Sequence, residues 1–165
     1  MTRQFINLSK IPKAEARVLI DQDVLNQLNL KKIIATSGTY FAFEDVSFDG
    51  EDFLHEVLDK TQCQVCALGS LYYSRVQVAN ETKCDVTYKY SYSDRTTYGV
   101  SRSGAIQEDL LQYFDEKDLE AIECYFEGWR EASEFSEKNS DPEIRMRKLM
   151  QNIIDNNGTF KPELL

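Results

Sequence analysis

The stretch Asp115-Glu-Lys-Asp-Leu-Glu-Ala-Ile-Glu-Cys-Tyr-Phe-Glu-Gly-Trp129 decides how this chain is read. Leu119, Ile122, Tyr125, Phe126 and Trp129 recur at steps of three and four residues, the spacing that puts side chains on one face of an α-helix. Glu116, Glu120, Glu123 and Glu127 fall opposite them, and Glu131 and Glu134 continue the step. One unbroken helix would carry all six carboxylates within an arc of about 80°, along about 27 Å of axis. The rungs lie about 4.5–6 Å apart, close to the phosphate spacing of a nucleic-acid strand. Like charges at i,i+4 cost a few tenths of a kcal/mol per pair, so stability alone does not favour the row. The competing reading is a solvated face rich in glutamate because glutamate forms helices well. Gly128 is the weak point, since a glycine inside a helix costs about 1 kcal/mol relative to alanine. A helix ending there leaves the last two rungs out of line. Asp115 is the expected N-cap, with Asp118 three residues on.

On the C-terminal side, residues 136–140 read as a linker. A last helix starts at Asp141-Pro142, a capping residue followed by proline, and stops at Asn156-Asn157-Gly158. On the N-terminal side, 105–114 is helical with Leu110, Leu111 and Phe114 inward. Before it, residues 84–103 form a tyrosine-rich extended insert in which Tyr88, Tyr90 and Tyr92 alternate with polar residues, as a strand or extended loop requires. A helix over 62–79 carries Val65, Leu68, Leu71, Tyr72 and Val76. Ala67, Gly69 and Ser70 make one side of it small, which marks it as the central buried helix. Another helix begins at Asp49 with Phe53, Leu54, Val57 and Leu58 apolar. Residues 33–36 and 39–43 flank Ser37-Gly38 and read as a β-hairpin. Nearer the start lie a polar arm over 1–12 ending at Pro12, a short β-rich run over 17–20, and a helix over 21–28 opened by Asp21 and Asp23. The expected fold is α+β: a helix-rich single domain spanning 1–165, with a small β-hairpin or sheet near the N-terminus.

The 165 residues are 42% hydrophobic, enough for a core. The net charge of −9 argues against direct binding to nucleic acid or an anionic membrane, because phosphate repels the chain as a whole. The imbalance is local. Residues 115–137 hold nine acids against Lys117 and Arg130, a net of −7, whereas residues 1–32 are net +3. The expected partner is therefore a basic protein. No apolar run approaches the 18 or so residues of a membrane span, and the start lacks a signal-peptide pattern, so a cytoplasmic protein is expected. Its four cysteines then read as reduced thiols.

Cys63-Gln-Val-Cys66 is the one metal-like spacing. A structural zinc needs about four ligands, and Cys84, Cys124 and the single His55 stand at spacings that match no standard finger. Zinc at Cys63 and Cys66, a redox pair and simple buried thiols are the alternatives; no other cofactor is expected. His55 sits in an apolar-periodic helix and reads as a packed histidine rather than a proton carrier. Ser37 and Ser103 lack a nucleophile elbow, and no phosphate-binding glycine loop occurs, so the chain is expected to be no enzyme. Tyr88, Tyr90 and Tyr92 with Arg95 and Arg102 form a second candidate surface, where rings stack a base and cations hold a phosphate. A half-buried strand face is the plainer alternative.

Four stretches carry a likeness to known proteins. They are Arg17 through Leu28 leading to Ala35-Thr-Ser-Gly-Thr-Tyr40; Cys63-Gln-Val-Cys-Ala-Leu-Gly-Ser70; Phe114 through Gly128; and Arg145 through Pro162. Together they resemble a family of small, largely uncharacterised proteins of tailed phages, prophages and bacterial mobile elements. That resemblance covers about half the chain, omits the tyrosine-rich insert and brings no catalytic residues. In setting and acidity the chain is similar to anti-CRISPR proteins, which occupy positively charged nucleic-acid grooves. The expectation is a phage or mobile-element inhibitor of host defence in the bacterial cytoplasm. Its acidic helix face binds a basic nucleic-acid-handling protein, such as a CRISPR nuclease, and blocks nucleic-acid loading. A nucleotide-sequestering module and a zinc-stabilised adaptor are the alternatives.

Overall fold

The computed structural model describes residues 5–38, 40, 42–44, 62–79, 87–92, 95–100 and 103–165. The helix expected from Asp49, with His55, and the residues Cys84 and Arg102 lie outside them. Among the described residues the α-helices are α1 Lys13–Asn29, α2 Ala67–Ala79, α3 Ser103–Leu110, α4 Glu116–Glu127, α5 Ser133–Lys138 and α6 Pro142–Asp155. The strands are β1 Ile33–Ala35, β2 Ala42–Glu44, β3 Cys63–Val65, β4 Thr87–Tyr92 and β5 Arg95–Val100. The fold is helix-rich α+β. No helix among the described residues is long and apolar enough to cross a membrane.

Helix α2 is the centre of the molecule, as its small-residue face predicts. Every residue from Ala67 to Gln77 is buried, and α1, α3 and α4 pack around it. A helix covered on all sides must neutralise its charges internally. Arg75 does so through Asp109 of α3, its Nε donating to Oδ2 at 2.6 Å. One apolar cluster joins Ile20, Val24 and Leu28 of α1, Leu68 and Leu71 of α2, Ile106 and Leu110 of α3, Leu119, Ile122 and Phe126 of α4, and Met146, Leu149 and Ile153 of α6.

Several expectations need correction. Residues 17–20 are not a β-rich run but the second turn of α1, whose N-cap is Pro12. Ala16, Ile20, Val24 and Leu28 keep a buried stripe at helical spacing, and that burial outweighs the strand preference of Val18 and Ile20. The hairpin over 33–43 does not form either. Gly38 has the positive φ of a turn, +74°, yet β3 lies between the two arms. Strand β1 pairs parallel with β3, Ile33 beside Cys63 and Ala35 beside Val65, while β2 runs antiparallel to β3 with Ala42 beside Gln64. Cys63–Val65 is thus a strand, and the helix expected from 62 begins at Ala67. The sheet order is β1-β3-β2-β5-β4, and β4 with β5 makes the extended insert an antiparallel pair. The linker over 136–140 is largely α5. Leu111 and Trp129, both assigned inward, are 40% and 54% exposed.

The helix boundaries nearest the acidic stretch follow the sequence closely. Asp115 holds the N-cap position of α4, although its side chain makes no capping hydrogen bond. Asp141 caps α6, its Oδ1 accepting the Glu143 N–H at 2.8 Å, with Pro142 in the first turn. Gly128 ends α4 in the left-handed region at φ +76°, where an L side chain is strained.

Candidate functional site

The helix stop at Gly128 breaks the acid ladder. Four glutamates, Glu116, Glu120, Glu123 and Glu127, belong to α4; Glu131 lies in the 3-10 turn Arg130–Ala132 and Glu134 on α5. The six do not share one straight face. Glu116, Glu120, Glu131 and Glu134 are exposed, whereas Glu123 and Glu127 are half-buried against the rest of the molecule. Glu134 is held by Lys138 at 2.6 Å, and that hydrogen bond with its charge draws the carboxyl below its ordinary range.

Glu123 and Glu127 hold the loop after β1. The Tyr40 hydroxyl donates to Glu123 Oε1 at 2.6 Å, and the Gly38 N–H donates to both oxygens of Glu127 at 3.0 Å. The same loop is gripped from α6: Arg145 Nη2 donates to Ser37 Oγ at 2.9 Å. Arg145 is itself buried, its other N–H groups donating to the carbonyls of Phe126, Asn139 and Ser140 at 2.7–2.9 Å. From α2 the contact is steric, because a β-carbon on Gly69 would fall on the Tyr40 carbonyl oxygen. Ser37, Gly38 and Tyr40 thus tie α2, α4 and α6 to the end of β1.

Cys66 lies under this loop, at the junction of β3 and α2. Its sulfur accepts the Gly69 N–H at 3.5 Å in the first turn of α2, a placement that lowers a thiol pKa when it is open to water. Burial reverses that here. The Cys66 thiol is pushed up to about 12, chiefly by burial, with the Glu127 and Glu123 charges adding to it. It is a neutral thiol at ordinary pH and not a poised nucleophile. Burial likewise raises Glu127, against the Gly38 N–H and the nearby Arg145, and raises the Tyr40 hydroxyl together with its bond to Glu123.

Cys63 and Cys66 are both buried, one within β3 and one after it, rather than sharing a helix side. Among the described residues no three His, Cys, Asp or Glu gather as a metal ion requires. In the tyrosine pair of strands the register sets Tyr88 beside Gly99, Tyr90 beside Thr97 and Tyr92 beside Arg95. Tyr88, Gly99, Ala42, Gln64 and Ile34 form one row across all five strands, and Ile34 and Gln64 in that row are exposed.

Sequence reasoning missed Tyr40 and Arg145 as holders of the loop. Tyr40 and Glu123 are 83 positions apart, and no local pattern announces such a bond. The Gly69 clue was present, since a small residue in an apolar helix calls for a close neighbour. Compared with protein-family models, curated proteins and solved structures, the chain finds no match. The geometry that bears on function is one acidic limb open to water and one loop held by carboxylates.

Proposed function

We propose that the chain is a non-enzymatic inhibitor of phage or mobile-element origin, which binds a basic nucleic-acid-handling protein through its acidic limb and blocks nucleic-acid loading. The supporting observation is the exposure of Glu116, Glu120, Glu131 and Glu134 along α4, the 3-10 turn and α5, within a segment of net charge −7. Carboxylates spread over such a limb attract a cationic channel at long range and repel nucleic acid itself. Glu123 and Glu127 drop out of the binding set because they hold the loop over 36–40. The surface is narrower than an unbroken ladder and bends at Gly128. A CRISPR nuclease, whose guide and target duplex lie in a positively charged channel, is a partner of the right chemistry.

The test is a loading assay on a panel of basic nucleases, followed by mobility shift of labelled target DNA. The wild-type chain is expected to suppress loading on at least one of them. The variant with Glu116→Lys, Glu120→Lys, Glu131→Lys and Glu134→Lys should not, while melting near the wild-type temperature. Equal suppression by that variant would refute the reading.

A second reading, nucleotide sequestration by the tyrosine strands, draws on the register that sets Tyr92 beside Arg95. A bound nucleotide at a hundred times its dissociation constant stabilises the fold by about 2.7 kcal/mol, which a thermal-shift screen detects. A flat screen over cyclic and linear nucleotides removes this alternative.

A further inference from the structure

The chain has a single tryptophan, and it stands at the bend between α4 and α5. Helical periodicity assigns Trp129 to the packed face of α4. The left-handed turn at Gly128 takes it off that face and leaves it 54% exposed. Its backbone is nonetheless fixed. The N–H groups of Gly128 and Trp129 both donate to the Cys124 carbonyl, at 2.9 and 3.1 Å. The Trp129 carbonyl accepts from the Ala132 N–H at 2.9 Å and from the Cys124 thiol at 3.2 Å.

An indole presented on a rigid turn forfeits little conformational freedom when a partner covers it, and large rings so placed are the residues that dominate interface energies. The chemistry of the partner follows from the charge around it. Exposed Glu131 and Glu134 follow within five residues, and although Arg130 is next in the chain and Lys138 pairs with Glu134, the segment 115–137 keeps a net −7, so an anionic partner is repelled and a cationic one drawn in. The face of an indole is the best aromatic seat for a lysine or arginine side chain, and more so once water is excluded. We propose that Trp129 is the anchor of the acidic limb, where a lysine- or arginine-bearing segment of a partner protein docks with its cation against the ring. This rests on the acidic-limb reading and adds to it a specific contact.

The single tryptophan makes the test direct, since all indole fluorescence comes from this site. The full chain is titrated with a labelled peptide of alternating arginine and serine, and with an otherwise equal glutamate–serine peptide, at low and high salt. Saturable binding of the arginine peptide with a change in tryptophan emission is expected, and none for the glutamate peptide. By anisotropy, Trp129→Ala should weaken the arginine peptide about tenfold or more, and Trp129→Phe, which keeps a ring, should restore most of that. Binding unchanged in Trp129→Ala overturns the anchor and leaves the acidic-limb reading standing. No binding by the wild type at low salt overturns both, and equal binding of the two peptides overturns the charge selection.

Discussion

Asp21 is the residue whose chemistry is least at home in its surroundings. It lies on α1 and is fully buried, and among the described residues neither carboxyl oxygen has a hydrogen-bond partner. Burial raises its pKa well above the ordinary carboxylate range, and Arg17 one turn earlier only partly opposes this. The folded state therefore binds the Asp21 proton more tightly than the unfolded chain does. This contribution to stability is in place below the ordinary carboxylate range and is lost as pH rises through the raised folded value. Asp21→Asn, close in shape and uncharged at every pH, should remove that slope. Relative to the variant, the wild-type melting temperature should fall as pH increases across this window; a constant difference would contradict the assignment. The hydroxyl of Tyr40 offers a second check. Its bond to the Glu123 carboxylate is charge-assisted, so Tyr40→Phe should cost about 1–2 kcal/mol, a melting-point drop of about 2–8 °C. An unchanged melting temperature would mean the loop is not held by this bond. Asp21 was legible only as a favourable first-turn acid; that it lies inside a helix and under cover depends on where α1 starts, which its sequence did not announce.

At the scale of elements, what the sequence made legible were the features written in local chemistry. The cap at Asp141, the stop at Gly158, the start of α4 after Asp115 and its end at Gly128 all depend on residues next to one another, and all stand where the local sequence places them. Extended structure was legible at 33–36, 39–43 and 84–103, where β1, most of β2, β4 and β5 lie, but β3 and the pairing of the strands were not legible in the same way. Ile33–Ala35 and Cys63–Val65 are three residues each, too short for a period, and they pair across a separation of 30 positions. A turn residue such as Gly38 announces a reversal of the chain but cannot say which strand occupies the gap. The glutamates of α4 followed the same division: their spacing on the helix could be read, but the loop that takes up two of them could not. The contact between α2 and that loop yields a prediction of its own. Gly69→Ala would drive a methyl group into the Tyr40 carbonyl, and overpacking of this kind costs about 1–3 kcal/mol. Chemical denaturation should show the lower midpoint with an unchanged slope. Wild-type stability in that variant would mean the loop is not seated on α2.

For the whole molecule the governing quantity is the separation of charge from core. The buried charge of α2 is paired, Arg75 with Asp109, and Asp109→Ala should destabilise by about 3–5 kcal/mol by taking this carboxylate from the buried guanidinium. Urea unfolding monitored by circular dichroism would measure it, and a loss below about 1 kcal/mol would show that the pair is not the support of α2. The exterior does the opposite, leaving carboxylates along α4 and α5 open to water. That imbalance was readable from composition, because net charge needs no fold to be counted. Which carboxylates stay exposed was not, and it reduces the working set to Glu116, Glu120, Glu131 and Glu134, the last of them paired with Lys138. The most direct measurement is the salt dependence of affinity for a basic nuclease, comparing the wild type with the variant in which these four glutamates are glutamine. If the limb binds through charge, the wild-type dissociation constant rises steeply between low and physiological salt, and the variant binds weakly with a nearly flat dependence. Parallel slopes for the two proteins would contradict the account.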